Sequence, residues 1–157
     1  MAGLLIRKAA SDDTSIIAQY VVAMIREIET LGGYPAADAN ESLAWLLVRV
    51  AERVDNEENL YLIAEFDNRI VGMLEAECTR LAPVFRDRSV VHISSVYVEP
   101  DFRRQGIGQA LMQAALAWAR QRGIEEIELD VLARNPAKRL YEKLGFEVFE
   151  HKMIMKL

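Results

Sequence analysis

Val90-Val91-His92-Ile93-Ser94-Ser95-Val96-Tyr97-Val98 runs through Glu99-Pro100-Asp101-Phe102 into Arg103-Arg104-Gln105-Gly106-Ile107-Gly108, and a strongly helical stretch continues to Arg122. This is a strand, a glycine-bearing turn and a helix start in succession. The first N–H groups of a helix lack intrahelical acceptors, and the helix dipole adds partial positive charge there. Gly106 and Gly108 carry no side chain, so an anion can approach the amides closely. Arg103 and Arg104 add full charge and a donor fork matched to phosphate. The segment reads as a pyrophosphate cradle. A plain turn with two solvated arginines is the alternative, and the legible strand and helix on either side favour the cradle. Other nucleotide signatures fit worse. Leu111 stands where a dinucleotide fingerprint needs its third glycine, and the Gly-Lys-Ser/Thr of a P-loop is absent.

The rest of the chain limits what this cradle can serve. At 157 residues, the span 1–157 is expected to form one domain with one core. Apolar residues make up 52%, enough to cover both faces of a sheet. No stretch approaches transmembrane length, and no charged-then-apolar leader opens the chain, so no membrane association is expected. The single cysteine, Cys78, has no partner for an internal disulfide and fits a reducing cytoplasm. One Cys with two His, His92 and His151, argues against a zinc or iron–sulfur site, and no metal is expected. A net charge of −5 argues against general nucleic-acid binding and sets the Arg103–Arg104 pair apart as a local exception.

Outward from the cradle, Leu4 to Lys8 is a short strand. Ser11-Asp12-Asp13 offers cap oxygens to a helix with an apolar stripe from Ile16 to Ile28. Gly32-Gly33-Tyr34-Pro35 breaks it, and Asn40 is expected to cap a second helix whose stripe runs from Leu43 to Val54. Leu60 to Phe66, the turn Asp67-Asn68, and Arg69 to Cys78 form a hairpin. Leu81 to Arg88 is a loop. After the cradle helix, whose inner face is Ile107, Leu111, Ala114, Ala115 and Trp118, Gly123 terminates. Ile127, Leu129 and Val131 alternate as a strand. Asn135-Pro136 starts a short helix ending at Gly145, and Phe146 to Leu157 is expected to finish the sheet. The order predicts a mixed α/β sheet with a crossover helix between two locally parallel strands.

Within the central strand, Val91 and Ile93 set one alternation while Val96 and Val98 set the opposite one. The slip at Ser94-Ser95 implies either a bulge or burial on both faces. A bulge would splay the strand and leave backbone groups able to hold an extended amide ligand by strand addition.

These residues resemble the GNAT superfamily of acyl-CoA-dependent N-acetyltransferases. Arg103-x-x-Gly106-x-Gly108 matches its signature. Val96-Tyr97-Val98-Glu99-Pro100 and Asn135-Pro136-Ala137-x-x-Leu140-Tyr141-x-x-Leu144-Gly145-Phe146 match equally well. The resemblance covers roughly residues 90 to 148 with specific motifs, and elsewhere rests on element order. It implies an α+β fold: a mixed, mostly antiparallel central sheet with a splayed parallel strand pair, flanked by helices. It implies acetyl-CoA as cosubstrate, held by backbone groups of Val96, Tyr97 and Val98 along the pantetheine arm. The cradle, Arg103 with Arg104, Gln105, Gly106, Ile107, Gly108 and Gln109, would hold the pyrophosphate. Asn135 would touch the pantetheine arm, serve as the helix cap, or do both. Tyr141 would protonate the leaving thiolate; its plain alternative is a packed aromatic on a short helix.

Attack of an amine on a thioester needs orientation, a neutral amine, oxyanion stabilisation and a proton for sulfur. No histidine is placed in sequence to activate Cys78, so direct transfer in a ternary complex is expected rather than a covalent acyl-enzyme. The general base stays open among Glu75, Glu77, His92, Ser94, Glu99 and a water. An acceptor wall is expected over residues 26–42, where Glu27, Glu29, Tyr34, Asp38 and Glu41 suit an amine. The acceptor is a small molecule or a protein amine. The competing reading is a non-catalytic acyl-CoA-binding or partner-binding domain. Met153, Ile154 and Met155 on the last strand offer an edge for a homodimer.

Overall fold

The computed structural model describes residues 3–157. Its elements are β1 (Leu4–Lys8), α1 (Thr14–Thr30), α2 (Ala39–Arg53), β2 (Asn59–Phe66), β3 (Arg69–Arg80), β4 (Ser89–Val98), α3 (Ile107–Gln121), β5 (Ile127–Leu129) and α4 (Lys138–Lys143). Single 3₁₀ turns at Ser11–Asp13 and Pro100–Phe102 precede α1 and the cradle. The sheet runs in order β1-β2-β3-β4-β5. The first three pairings are antiparallel, and β4 pairs β5 in parallel. Asp67 and Asn68 both take left-handed φ, +50° and +64°, which gives the β2–β3 turn the twist its strands require.

Helices cover both faces. Ile107, Leu111, Met112 and Ala115 of α3 pack on Leu62, Leu74, Val91 and Ile93. On the other face, Ile17, Tyr20 and Val21 of α1 and Leu46 and Val50 of α2 cover Tyr61, Ile63, Met73 and Tyr97. Burying each of the larger apolar side chains contributes about 1.5–3 kcal/mol, so this two-sided cover fixes which strand face is which.

The slip in β4 is a bulge. Glu75 pairs with Ser95 and Ala76 with Ile93, leaving Ser94 as the extra residue. The extra residue resets the phase, so Val91 and Ile93 before it and Val96 and Val98 after it all face α3. β5 follows β4 only along Val91–Ile93 and ends at Leu129. Beyond the bulge, Ser95–Val98 keeps its β3 neighbour but, among the described residues, has no strand on the β5 side. This is the splayed pair.

Three expectations need correction. Asp38, not Asn40, caps α2, accepting from the amides of Asn40 (2.8 Å) and Glu41 (3.2 Å); its carboxylate stands one residue ahead of the helix, where a cap oxygen reaches the free amides. Val131 lies beyond β5, because the splay removes the neighbour that would pair with it. Phe146 to Leu157 does not finish the sheet. A strand needs a paired edge for its backbone groups, and residues 147–157 stay outside the ladder, with Phe149 92% exposed. The edge expected from Met153, Ile154 and Met155 is therefore an exposed apolar tail and not a strand.

Candidate active site

Pro100–Phe102 turns the chain out of β4, and Arg103 is extended. Arg104 (φ +65°) and Gly106 (φ +81°) are left-handed, and such turns make anion-binding concavities of successive amides. Gly106 occupies the cap position of α3 without a side-chain cap. The Ala110 amide donates to the Gly106 carbonyl (3.0 Å), so the Ile107, Gly108 and Gln109 amides precede the helical ladder. They fit a phosphate.

The arginines divide their tasks. Arg103 donates from Nε to the Val98 carbonyl (2.7 Å) and from Nη2 to Glu27 Oε1 of α1 (2.7 Å), and it lies over the Tyr97 ring at 5.5 Å. Its guanidinium is a clamp on the end of β4, and Glu27 of the expected acceptor wall is used to hold it. Arg104 is exposed and forms no ion pair among the described residues, so its charge stays available at the cradle. Gln105 donates to the Asp101 carbonyl at 3.2 Å, tightening the turn.

The end of β4, the start of α3 and α4 meet at Gly108. A Cβ there would lie 3.5 Å from Leu140 and 3.9 Å from Val98. Asn135 Oδ1 accepts from the Ala137 amide (2.9 Å), so its carbonyl caps the turn into α4 while its NH₂ group keeps its donors. Tyr141 packs edge-on to Phe146 and against the α3-side core. Burial pushes its phenol above the ordinary tyrosine value, which keeps it protonated at neutral pH.

A splayed β4, a helix-start anion cradle beside it and a tyrosine helix against both are joined here, and residues 22–146 match the model of the Acetyltransferase (GNAT) family. The chain belongs to the GNAT family. It is 31% identical to an N-acetyltransferase of Archaeoglobus fulgidus over 137 residues, covering 87% of this chain and 88% of that one. It is 34% identical to the N-acetyltransferase MJ1207 of Methanocaldococcus jannaschii over 104 residues, 66% of this chain and only 42% of that protein. The fold is also that of a predicted acetyltransferase with acetyl-CoA from Clostridium acetobutylicum, with a TM-score of 0.77, 22% identity, and coverage of 98% of this chain and 96% of that one. This GNAT protein is an acyl-CoA-dependent N-acetyltransferase, and its cosubstrate is acetyl-CoA.

On the α2 face, the GNAT sheet carries polar groups that sequence reading did not connect. Glu75 is 2% exposed and accepts from Tyr61 Oη (2.9 Å) and Ser95 Oγ (3.3 Å), with Arg49 of α2 at 2.7 Å. Burial, then the Glu75 charge, pushes the Tyr61 phenol up to about 12. Arg53, also on α2, bonds Asn59 (2.7 Å) and Glu77. Arg49 and Arg53 stand four residues apart, a spacing that in sequence looks like a solvated helix face. Glu99 accepts from Tyr20 Oη (2.8 Å) and pairs with Arg69 (2.5 Å). Cys78 lies toward the opposite end of the sheet, in a cleft of about 610 Å³ with Glu58, Arg88 and Arg122, and burial pushes its thiol up. Among the described residues no helix is long and apolar enough to cross a membrane.

Proposed function

We propose that this GNAT acetyltransferase, acting as one domain, moves acetyl directly from acetyl-CoA to a primary amine of a small molecule or a protein within a ternary complex. The observation that carries this reading is the free edge of β4 from Ser94 to Val98, bounded by the cradle at one end and by α4 with Tyr141 beside it. In this reading the edge groups of Val96–Val98 pair with the pantetheine amides. The amides of residues 104–109 take the pyrophosphate, with Asn135 NH₂ as a further donor to the arm. Tyr141 gives its proton to the departing thiolate, and a β4 amide faces the oxyanion.

A direct route is supported by Cys78, the chain's single thiol, which sits toward the far end of the sheet with its ionisation disfavoured. A cytoplasmic setting agrees with that free thiol. A homodimer would give the exposed Val148, Phe149, Met153, Ile154 and Met155 a cover.

Calorimetric titration with acetyl-CoA tests the site. Binding is expected in the native protein and not in Gly106→Glu, whose carboxylate would occupy the anion cradle. Tyr141→Phe should keep acetyl-CoA affinity and slow turnover about 100-fold. Acetyl trapped on Cys78 during turnover, or equal loss of binding and turnover in Tyr141→Phe, would count against direct transfer with Tyr141 as acid.

A further inference from the structure

Four polar residues of the α2 face fall in one register row across the sheet. Asn59 pairs with Glu77, Glu77 with His92, and His92 with Glu128. Directly paired residues share a sheet face, so these four side chains stand in line. The row ends where β4 and β5 part, since Ile93–Leu129 is the last pair before the splay. Two residues, or about 7 Å along the strand, separate His92 from the Ser94 bulge.

Most groups able to accept a proton here are already engaged. Glu75 is buried and held by Arg49, Tyr61 and Ser95. Glu77 is bound by Arg53, and Glu99 by Tyr20 and Arg69. His92 is different. Its Nδ1 lies 3.4 Å from Glu128 Oε1, its side chain is 27% exposed, and among the described residues its Nε2 has no hydrogen-bond partner. Glu77 of β3 and Glu128 of β5 flank it, and the α2 cations Arg49 and Arg53 are tied to Glu75 and Glu77.

The geometry points to His92 as the group that deprotonates the acceptor ammonium, with Glu128 orienting its ring and placing a negative charge at the floor of the splay. This rests on the acetyltransferase reading above. Closing the 3.4 Å gap to a hydrogen bond on Nδ1–H would fix the tautomer that leaves Nε2 as the acceptor. The ammonium gives one proton to Nε2, directly or through one water. The neutral amine then forms the C–N bond to the thioester carbon. As the adduct collapses, the C–S bond breaks and the thiolate takes the Tyr141 proton. The amide nitrogen's surplus proton returns to the Tyr141 oxygen, and His92 releases its proton to solvent. One proton leaves per turnover.

The test uses n-butylamine as probe, with thiol release followed from mildly acidic to alkaline pH, beside calorimetric titration with acetyl-CoA. His92→Gln should bind acetyl-CoA as the native protein does and lose about 100-fold in kcat/KM at neutral pH. Its rate should then climb with pH as the amine sheds its proton to water. His92→Ala should regain rate with added imidazole, which a merely structural histidine would not allow. Glu128→Gln should lose less, about tenfold. A native-like rate and pH profile in His92→Gln would overturn the assignment, as would absence of butylamine turnover by native protein that binds acetyl-CoA. Loss of acetyl-CoA binding by the native protein would instead fail the underlying reading, and the assignment with it.

Discussion

Arg103 donates its Nε–H to the carbonyl oxygen of Val98 at 2.7 Å, closing the chain's exit from β4 onto the strand it has just left. An arginine that reads in sequence as a phosphate ligand is thereby a clamp on the strand end. Arg104 keeps the free charge.

The two arginines should consequently fail in different ways. Arg104→Ala should weaken acetyl-CoA binding about tenfold and flatten its dependence on ionic strength, because a phosphate-facing charge is lost. Arg103→Ala should weaken binding while leaving the salt dependence unchanged. The Arg103–Glu27 pair is exposed, so the stability cost should stay below about 1 kcal/mol. Titrations at low and high salt separate the cases.

Two glycines flank Val98 and should respond in opposite directions. A Cβ on Gly72 would lie 2.8 Å from the Tyr97 carbonyl oxygen, so Gly72→Ala must push β4 and is expected to cost about 1–3 kcal/mol. At Gly108 a Cβ meets Leu140 at an ordinary 3.5 Å, so Gly108→Ala should fold at least as stably, with a gain of up to about 1 kcal/mol in helix propensity. Denaturant midpoints measure both.

Glu75→Gln should be a stability variant. It takes the charge from a buried carboxylate that Arg49, Tyr61 and Ser95 converge on, for a loss of about 2 kcal/mol. Activity of the folded fraction should stay within a few-fold of native. A large loss of kcat without loss of stability would instead make Glu75 the base in place of His92.

Asp13 should contribute to the acid sensitivity of the fold. Arg7 holds it through two bonds, 2.6 and 2.9 Å, and the Ala10 amide adds a third at 2.8 Å. The Arg7 bonds, chiefly, keep its carboxyl below the ordinary aspartate value despite burial. A carboxyl lowered on folding stabilises fully above its unfolded value, about 4, and the contribution disappears as pH falls through the folded value. Asp13→Asn should cost about 2 kcal/mol at neutral pH and flatten the acid side of the stability–pH curve. Thermal melts across that range check the sign.

Local patterns carried a large part of this in sequence. The hairpin turn, the glycine turn into α3 and the helix stripes depend on neighbours within a few residues, so Asp67-Asn68, Gly106 and Ile107–Trp118 were readable directly. The phase slip at Ser94-Ser95 was readable too, though only as a choice between bulge and two-sided burial. The tail failed for the converse reason. A loosely alternating run such as Phe146–Leu157 becomes a strand only when an edge receives it.

By itself, then, the chain determined the order of its elements, the glycine turn before α3 and the family motifs, because each is written in contiguous residues whose backbone preferences act locally. Tertiary structure decided which charges are spent. Only the folded sheet brings Arg103 to Glu27, Arg49 to Glu75 and Glu77 beside His92 and Glu128. A side chain's availability for chemistry depends on partners tens of residues away, and no local spacing encodes them.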